Sequence, residues 1–203
     1  MNVVIVDYGM GNIKSVVSAL KYTGVQDISI SSEYEELKKA DKLILPGVGA
    51  FGQAMKRIKE KQIDLFLKDI VLKEKKPILG ICLGMQLLGI SSSEDGYSDG
   101  LGFIDGEVRK FNIKNVRVPH VGFNQVKINK NSNLYFNFPE EADFYFTHSY
   151  RMTSDKQINQ SMCKYENEFV ASFEFENIVG TQFHPELSQH NGLNLFKNFI
   201  ERF

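Results

Sequence analysis

The chain has 203 residues, 42% of them hydrophobic, with a formal net charge of −1 and a pI near 6.4. That length suits a single domain, residues 1–203, with a sizeable core, and the near-neutral charge excludes the basic footprint that nucleic acid or an anionic membrane surface requires. Two cysteines, Cys82 and Cys163, are too few for a disulfide framework; there is no basic leader, and the longest nearly apolar run, residues 78–90, is too short to span a bilayer, so a soluble cytoplasmic protein is expected.

Residues 3–6 form a continuous apolar run that ends in Asp7-Tyr8-Gly9-Met10-Gly11-Asn12, and from Ile13 the apolar residues Val16, Val17 and Leu20 keep helical spacing up to Gly24. Residues 28–30 and 42–45 read as strands, with a short helix over 34–40 between them. Continuous apolar strands alternating with helices predict an α/β fold with a mainly parallel sheet covered on both faces, and ligands then sit beyond the carboxyl ends of the strands. The Gly9-Met10-Gly11-Asn12 cluster reads as a tight turn with a helix cap. Gly47-Val48-Gly49-Ala50-Phe51-Gly52 matches a dinucleotide fingerprint literally and opens a helix over 53–60. A nucleotide site also wants an acidic residue at the end of the next strand, and residues 62–72, which hold Asp69, read instead as helix. The preferred reading is a loop of backbone donors lying beside Cys82, with a plain turn as the alternative.

The centre of the chain is Gly80-Ile81-Cys82-Leu83-Gly84-Met85-Gln86. Pro77, Ile78 and Leu79 lead in as a strand and residues 85–90 lead out as a helix, so Cys82 falls at a strand-to-helix turn with a glycine at each shoulder. Such an elbow holds a side chain out for attack, and the unpaired N–H groups that open the helix favour thiolate over thiol. A buried core cysteine is the plain alternative.

Beyond the elbow the texture changes. Residues 91–100 form a polar loop, and strand-like stretches follow at 107–111, 124–128, 144–146, 168–175 and 178–183, many of them alternating polar with apolar, before a closing helix over 193–203. This half is expected to be antiparallel or mixed, laid against the parallel core. In Gly180-Thr181-Gln182-Phe183-His184-Pro185-Glu186, Pro185 pushes His184 towards extended geometry, where residues i and i+2 share a face, so that Glu186 can orient the imidazole. His120 and His148 have no cysteine or carboxylate at metal-ligand spacing and read as packed or hydrogen-bonded; no metal or other cofactor is expected.

The elbow together with Phe183-His184-Pro185-Glu186 resembles the class I (triad) glutamine amidotransferases. Further stretches are similar to one branch of that family, the glutaminase subunits that serve imidazole glycerol phosphate synthesis: Asp7-Tyr8-Gly9-Met10-Gly11-Asn12, Leu45-Pro46-Gly47-Val48-Gly49, Pro119-His120-Val121-Gly122-Phe123-Asn124 and Tyr145-Phe146-Thr147-His148-Ser149-Tyr150. The resemblance implies a Cys82-His184-Glu186 triad that hydrolyses L-glutamine and passes ammonia to a cyclase barrel in a heterodimer of the histidine pathway. It also implies an oxyanion site made by the N–H of Leu83 and one from the Val48-Gly49 turn, so that one peptide flip there could switch activity. Substrate contacts would come from Gln86, Glu94, Ser149 and Tyr150, and partner contacts from Asn12 and Leu187. The branch usually carries Trp at position 123 and Lys at 187, where this chain has Phe123 and Leu187. Two other readings stay open: a paralogous glutaminase feeding a different synthase, such as an amidino-sugar pathway of surface glycans, and a Cys-dependent hydrolase acting alone or a scaffold that keeps only the fold.

Overall fold

A computed structural model describes residues 1–112 and 114–203. The parallel strands form where the apolar runs are unbroken: β1 (Asn2–Val6), β2 (Asp27–Ser31), β3 (Lys42–Leu45) and β4 (Ile78–Ile81), joined by α1 (Ile13–Tyr22), α2 (Tyr34–Lys39), α3 (Phe51–Glu60) and α4 (Ile63–Leu67), the last running on as a π-helical turn, Lys68–Lys73. After α5 (Leu83–Leu87) come β5 (Ser91–Ser92), β6 (Ser98–Asp99), β7 (Glu107–Lys110), β8 (His120–Lys127), β9 (Glu141–His148), β10 (Tyr150–Thr153), β11 (Ser161–Tyr165), β12 (Asn167–Phe175) and β13 (Ile178–Thr181), and the C-terminal helix α6 (Gln189–Arg202).

One nine-stranded sheet runs in the order β2-β1-β3-β4-β13-β12-β11-β8-β9. Its first five strands are parallel and the remaining pairings antiparallel. The antiparallel half therefore extends the parallel sheet edge to edge through β13, instead of lying against it as expected. A smaller sheet, β10-β7-β5-β6, stands apart, and it takes two short strands from residues 91–100, expected as a loop. The polar sequence Ser91-Ser92 still pairs because its backbone bonds to Ser98-Asp99 and to β7 whatever the side chains are.

The continuous apolar strands supply both faces of the sheet. Val4 and Val6 of β1 enter one core with α3, α4 and α5, while Val3 and Ile5 enter the other with α1 and α6; in β3, Leu43 and Leu45 go to the first and Ile44 to the second. A strand buried on both sides has no polar face to alternate, which is why these segments read as runs. One local expectation fails. Asn12 occupies the position before α1, but its side chain makes no capping hydrogen bond. Among the described residues, no helix is long and apolar enough to cross a membrane.

Candidate active site

Strands β3, β4 and β13 are parallel neighbours, and their register sets Leu45 beside Gly80 and Gly80 beside Gly180. The segments leaving their carboxyl ends, residues 46–49, Cys82 and residues 182–186, consequently emerge side by side. Three distant pieces of sequence meet there because the sheet places them at one height.

Cys82 has φ +52° and ψ −107°. A non-glycine residue in such a conformation carries about 1–3 kcal/mol of strain, which the surrounding packing holds in place. The flanking glycines serve close approach, not rotation: a Cβ on Gly84 would lie 1.8 Å from the Leu45 carbonyl oxygen, and one on Gly80 would lie 2.8 Å from the Gly84 backbone. The turn is thus pressed against both β3 and the first turn of α5. Gly47 is equally confined, since an added Cβ would meet the Tyr8 hydroxyl at 2.6 Å and the Gly84 nitrogen at 2.7 Å. The Tyr8 hydroxyl donates to the Pro46 carbonyl at 2.8 Å and fixes the loop from below, and its own ionisation is pushed up by burial and by the nearby Cys82. Gly49 has φ +105° and is the residue at which this loop turns.

His184 is buried in extended conformation, φ −100° and ψ 96°, and Glu186 sits in the 3-10 turn Pro185–Leu187. The two still meet, His184 Nδ1 donating to Glu186 Oε1 at 2.8 Å. The expectation of a shared strand face is therefore corrected: Pro185 starts a tight turn, and the turn brings the carboxylate under the ring. The backbone of His184 is clamped as well, its N–H donating to the Tyr145 carbonyl and its carbonyl accepting from the Ser188 hydroxyl. Burial alone would lower the basicity of His184, but the Cys82 sulfur and the Glu186 carboxylate outweigh it and raise the pKa to about 10. Among the described residues, Nε2 of the ring makes no hydrogen bond.

Cys82, His184, Val48, Gly49, Leu83, Gln86, Glu94, Ser149 and Tyr150 all line one cavity of about 320 Å³. Glu186 lies behind His184, and Asn12 and Leu187 lie outside that lining. Gln86 is buried, and its amide NH2 donates to the Tyr150 carbonyl and to Gln182 Oε1, both at 2.9 Å. Glu94 accepts from the Phe51 N–H at 2.8 Å, and burial raises its pKa. Cys163 does not line this cavity and is a core thiol whose pKa burial pushes up to about 12. Tyr8, Gln182 and Ser188 were not assigned roles from sequence. Tyr8 and Gln182 do stand inside motifs that sequence singles out, and that is the only signal they give.

His120 and His148 pair across β8 and β9. His148 Nδ1 donates to the Tyr150 carbonyl at 2.8 Å, so its Nε2 accepts, and His120 Nδ1 donates to it at 3.1 Å. His120 is also stacked between Phe146 and Tyr165. Burial holds both rings neutral, with pKa values lowered to about 4 and about 3. In the unfolded chain each would titrate near 6.5, so below that pH unfolding takes up protons and stability falls as the pH drops from about 6.5 towards about 4. His184 has the opposite sign: its contribution is complete below about 6.5 and is lost as the pH rises towards about 10. Urea denaturation at pH 5 and pH 6.5, with the imidazole resonances followed by NMR, is expected to show weaker resistance at pH 5 while His120 and His148 remain neutral in the native state. Among the described residues, no group of three or more His, Cys, Asp or Glu is placed to hold a metal ion.

A thiol on a strained elbow shares one cavity with an imidazole tied to a carboxylate, an arrangement suited to nucleophilic attack by sulfur, and sequence comparison says which family carries it. The profile of the family Glutamine amidotransferase class-I matches residues 4–203, and the chain belongs to that family. It is 44% identical over 203 residues to "Imidazole glycerol phosphate synthase subunit HisH 2" of Vibrio vulnificus, covering 99% of this chain and 94% of that protein. It is 46% identical over 202 residues to the subunit HisH of Pyrococcus furiosus, covering 97% of each. The fold matches the solved structure of PurLQS from Thermotoga maritima with a TM-score of 0.76 at 17% identity, over 98% of this chain and 97% of that one.

Proposed function

We propose that this chain is the glutaminase subunit of an imidazole glycerol phosphate synthase, acting in the cytoplasm as a heterodimer with a cyclase barrel. The observation that carries the reading is Cys82 on its strained elbow in the same cavity as His184, with Glu186 behind it. In this mechanism the Cys82 thiolate attacks the side-chain amide carbon of L-glutamine, and the oxyanion is held by the Leu83 N–H and by one from the Val48-Gly49 turn. Such a donor contributes about 2.7–4 kcal/mol. His184 gives its proton to the departing ammonia, leaving a γ-glutamyl thioester; it then takes a proton from water, whose oxygen attacks the thioester to release glutamate and free the sulfur. Glu186 keeps the ring oriented throughout. Glu94 takes the substrate ammonium and Gln86, Ser149 and Tyr150 hold its α-carbon end.

The barrel contacts this chain on the face bearing Asn12 and Leu187. Leu187 is 40% exposed and Phe123 is 51% exposed, and the lysine usual in this branch is absent at position 187. The missing ion pair is worth about 0–1 kcal/mol when exposed, so affinity rests on apolar contact and complex formation should depend weakly on salt. Titration calorimetry across ionic strength checks this: a steep loss of affinity with salt, or a clear gain from Leu187→Lys, contradicts it. Leu187 also favours the second reading, a glutaminase that feeds a different synthase. Glutamine hydrolysis that rises on adding a histidine-pathway cyclase barrel supports the first reading; no response to that barrel, with activity restored by another synthase, supports the second.

A further inference from the structure

The side chain of Gln182 is fully buried, 100 residues from Cys82 in sequence, and its Nε2 lies 3.7 Å from the Cys82 sulfur. Which end of that amide faces the sulfur is settled by its neighbours. The Tyr150 carbonyl can only accept, and it takes the NH2 of Gln86. With the Gln86 amide so oriented, its second N–H points at Gln182, which must present Oε1 to it. The remaining end of the Gln182 amide, its NH2 group, is then the end that meets the sulfur. The same Tyr150 carbonyl is anchored from the other side by His148, so the chain of bonds has one direction from β10 to the nucleophile.

We propose that Gln182 is the hydrogen-bond donor that holds the Cys82 sulfur as a thiolate, and that Gln86 is the positioning residue that keeps its NH2 end forward. A donor fixed by protein contacts stabilises the anion more than the neutral thiol, because bonds to charged acceptors are the stronger ones. The same bond favours the sulfur as leaving group when the thioester is hydrolysed. Other titratable groups around the sulfur are His184, with Glu186 behind it, Tyr8 after β1, and His148 and Glu94 across the cavity; all remain in place in the variants below.

The proposal rests on Cys82 being the nucleophile, and the test separates the two. Iodoacetamide alkylation of the full chain is followed by mass spectrometry across pH. Absence of label on Cys82 in the native chain defeats the nucleophile reading itself. Gln182→Met, which fills similar space without a donor, is expected to slow Cys82 alkylation about tenfold at pH 6, one unit on the pH axis, with the rates converging in alkali. Gln86→Met removes the N–H that holds Gln182 Oε1 and adds no charge, so the NH2 end is no longer kept forward and slowing in the same direction is expected. Folded variants with the native pH profile overturn the proposal. In the native chain, which needs no substitution, the assigned side-chain amide resonance of Gln182 should follow the thiolate absorbance across pH and move on alkylation; an amide indifferent to both also overturns it.

Discussion

Cys82→Ala and Cys82→Ser abolish ammonia release from glutamine while leaving the fold in place, and Cys82→Gly, equally inactive, is more stable than Cys82→Ala. The usual order is the reverse, since glycine costs about 0.4–1 kcal/mol through the freedom it gives the unfolded chain. At φ +52° and ψ −107°, however, alanine keeps a strain of about 1–3 kcal/mol that glycine relieves. Relief of strain outweighs the entropic cost, so Cys82→Gly should exceed Cys82→Ala by about 1 kcal/mol in urea denaturation, or by about 2–4 °C in Tm for a chain of this size. A more stable alanine variant would show that the elbow is not strained, and retained glutaminase activity in either variant would remove Cys82 from the chemistry.

Glu186→Gln is the second change with a large expected effect. The carboxylate is buried and Oε1 accepts the Nδ1 proton of His184; the amide has no charge to offset the imidazolium, and its NH2 would sit where Glu186 Oε2 lacks a partner among the described residues. We expect kcat to fall of the order of 10³–10⁴-fold with KM nearly unchanged, as when the third member of a hydrolytic triad is neutralised. The pKa of His184, raised by Cys82 and Glu186 against the effect of burial, should fall in the variant because one of its two supports is gone. NMR titration of the imidazole reads that shift directly. An unchanged titration with lost activity would mean that Glu186 acts other than through the ring.

The residues that announced themselves in sequence are those whose local pattern is itself the requirement. Cys82 stands between two glycines because Leu45 and the backbone of α5 leave no room for a Cβ at either shoulder, and the parallel strands are unbroken apolar runs because both of their faces are buried. His184 and Glu186 meet although the turn between them is 3-10 and not extended, since a proline-led turn and an extended strand both bring residues two apart together here. What the sequence did not carry is long-range. Tyr8 meets Pro46 across 38 positions and Gln182 meets Cys82 across 100, and no periodicity marks a hydrogen bond of that span. The edge-to-edge continuation of the sheet is of the same kind: alternation identifies strands such as β8 and β9 without saying which neighbour their backbones choose. Asn12 shows the converse, a residue type suited to capping that occupies the cap position and makes no capping bond.

The most direct test of the triad is to trap the covalent intermediate. The full chain, with its cyclase barrel, is mixed with isotopically labelled L-glutamine, quenched in acid during turnover and digested for mass spectrometry. A γ-glutamyl thioester on the peptide that carries Cys82, present in Glu186→Gln and absent in Cys82→Ser, is the predicted result. An adduct on Cys163, or sustained ammonia release with Cys82 never modified, would contradict it.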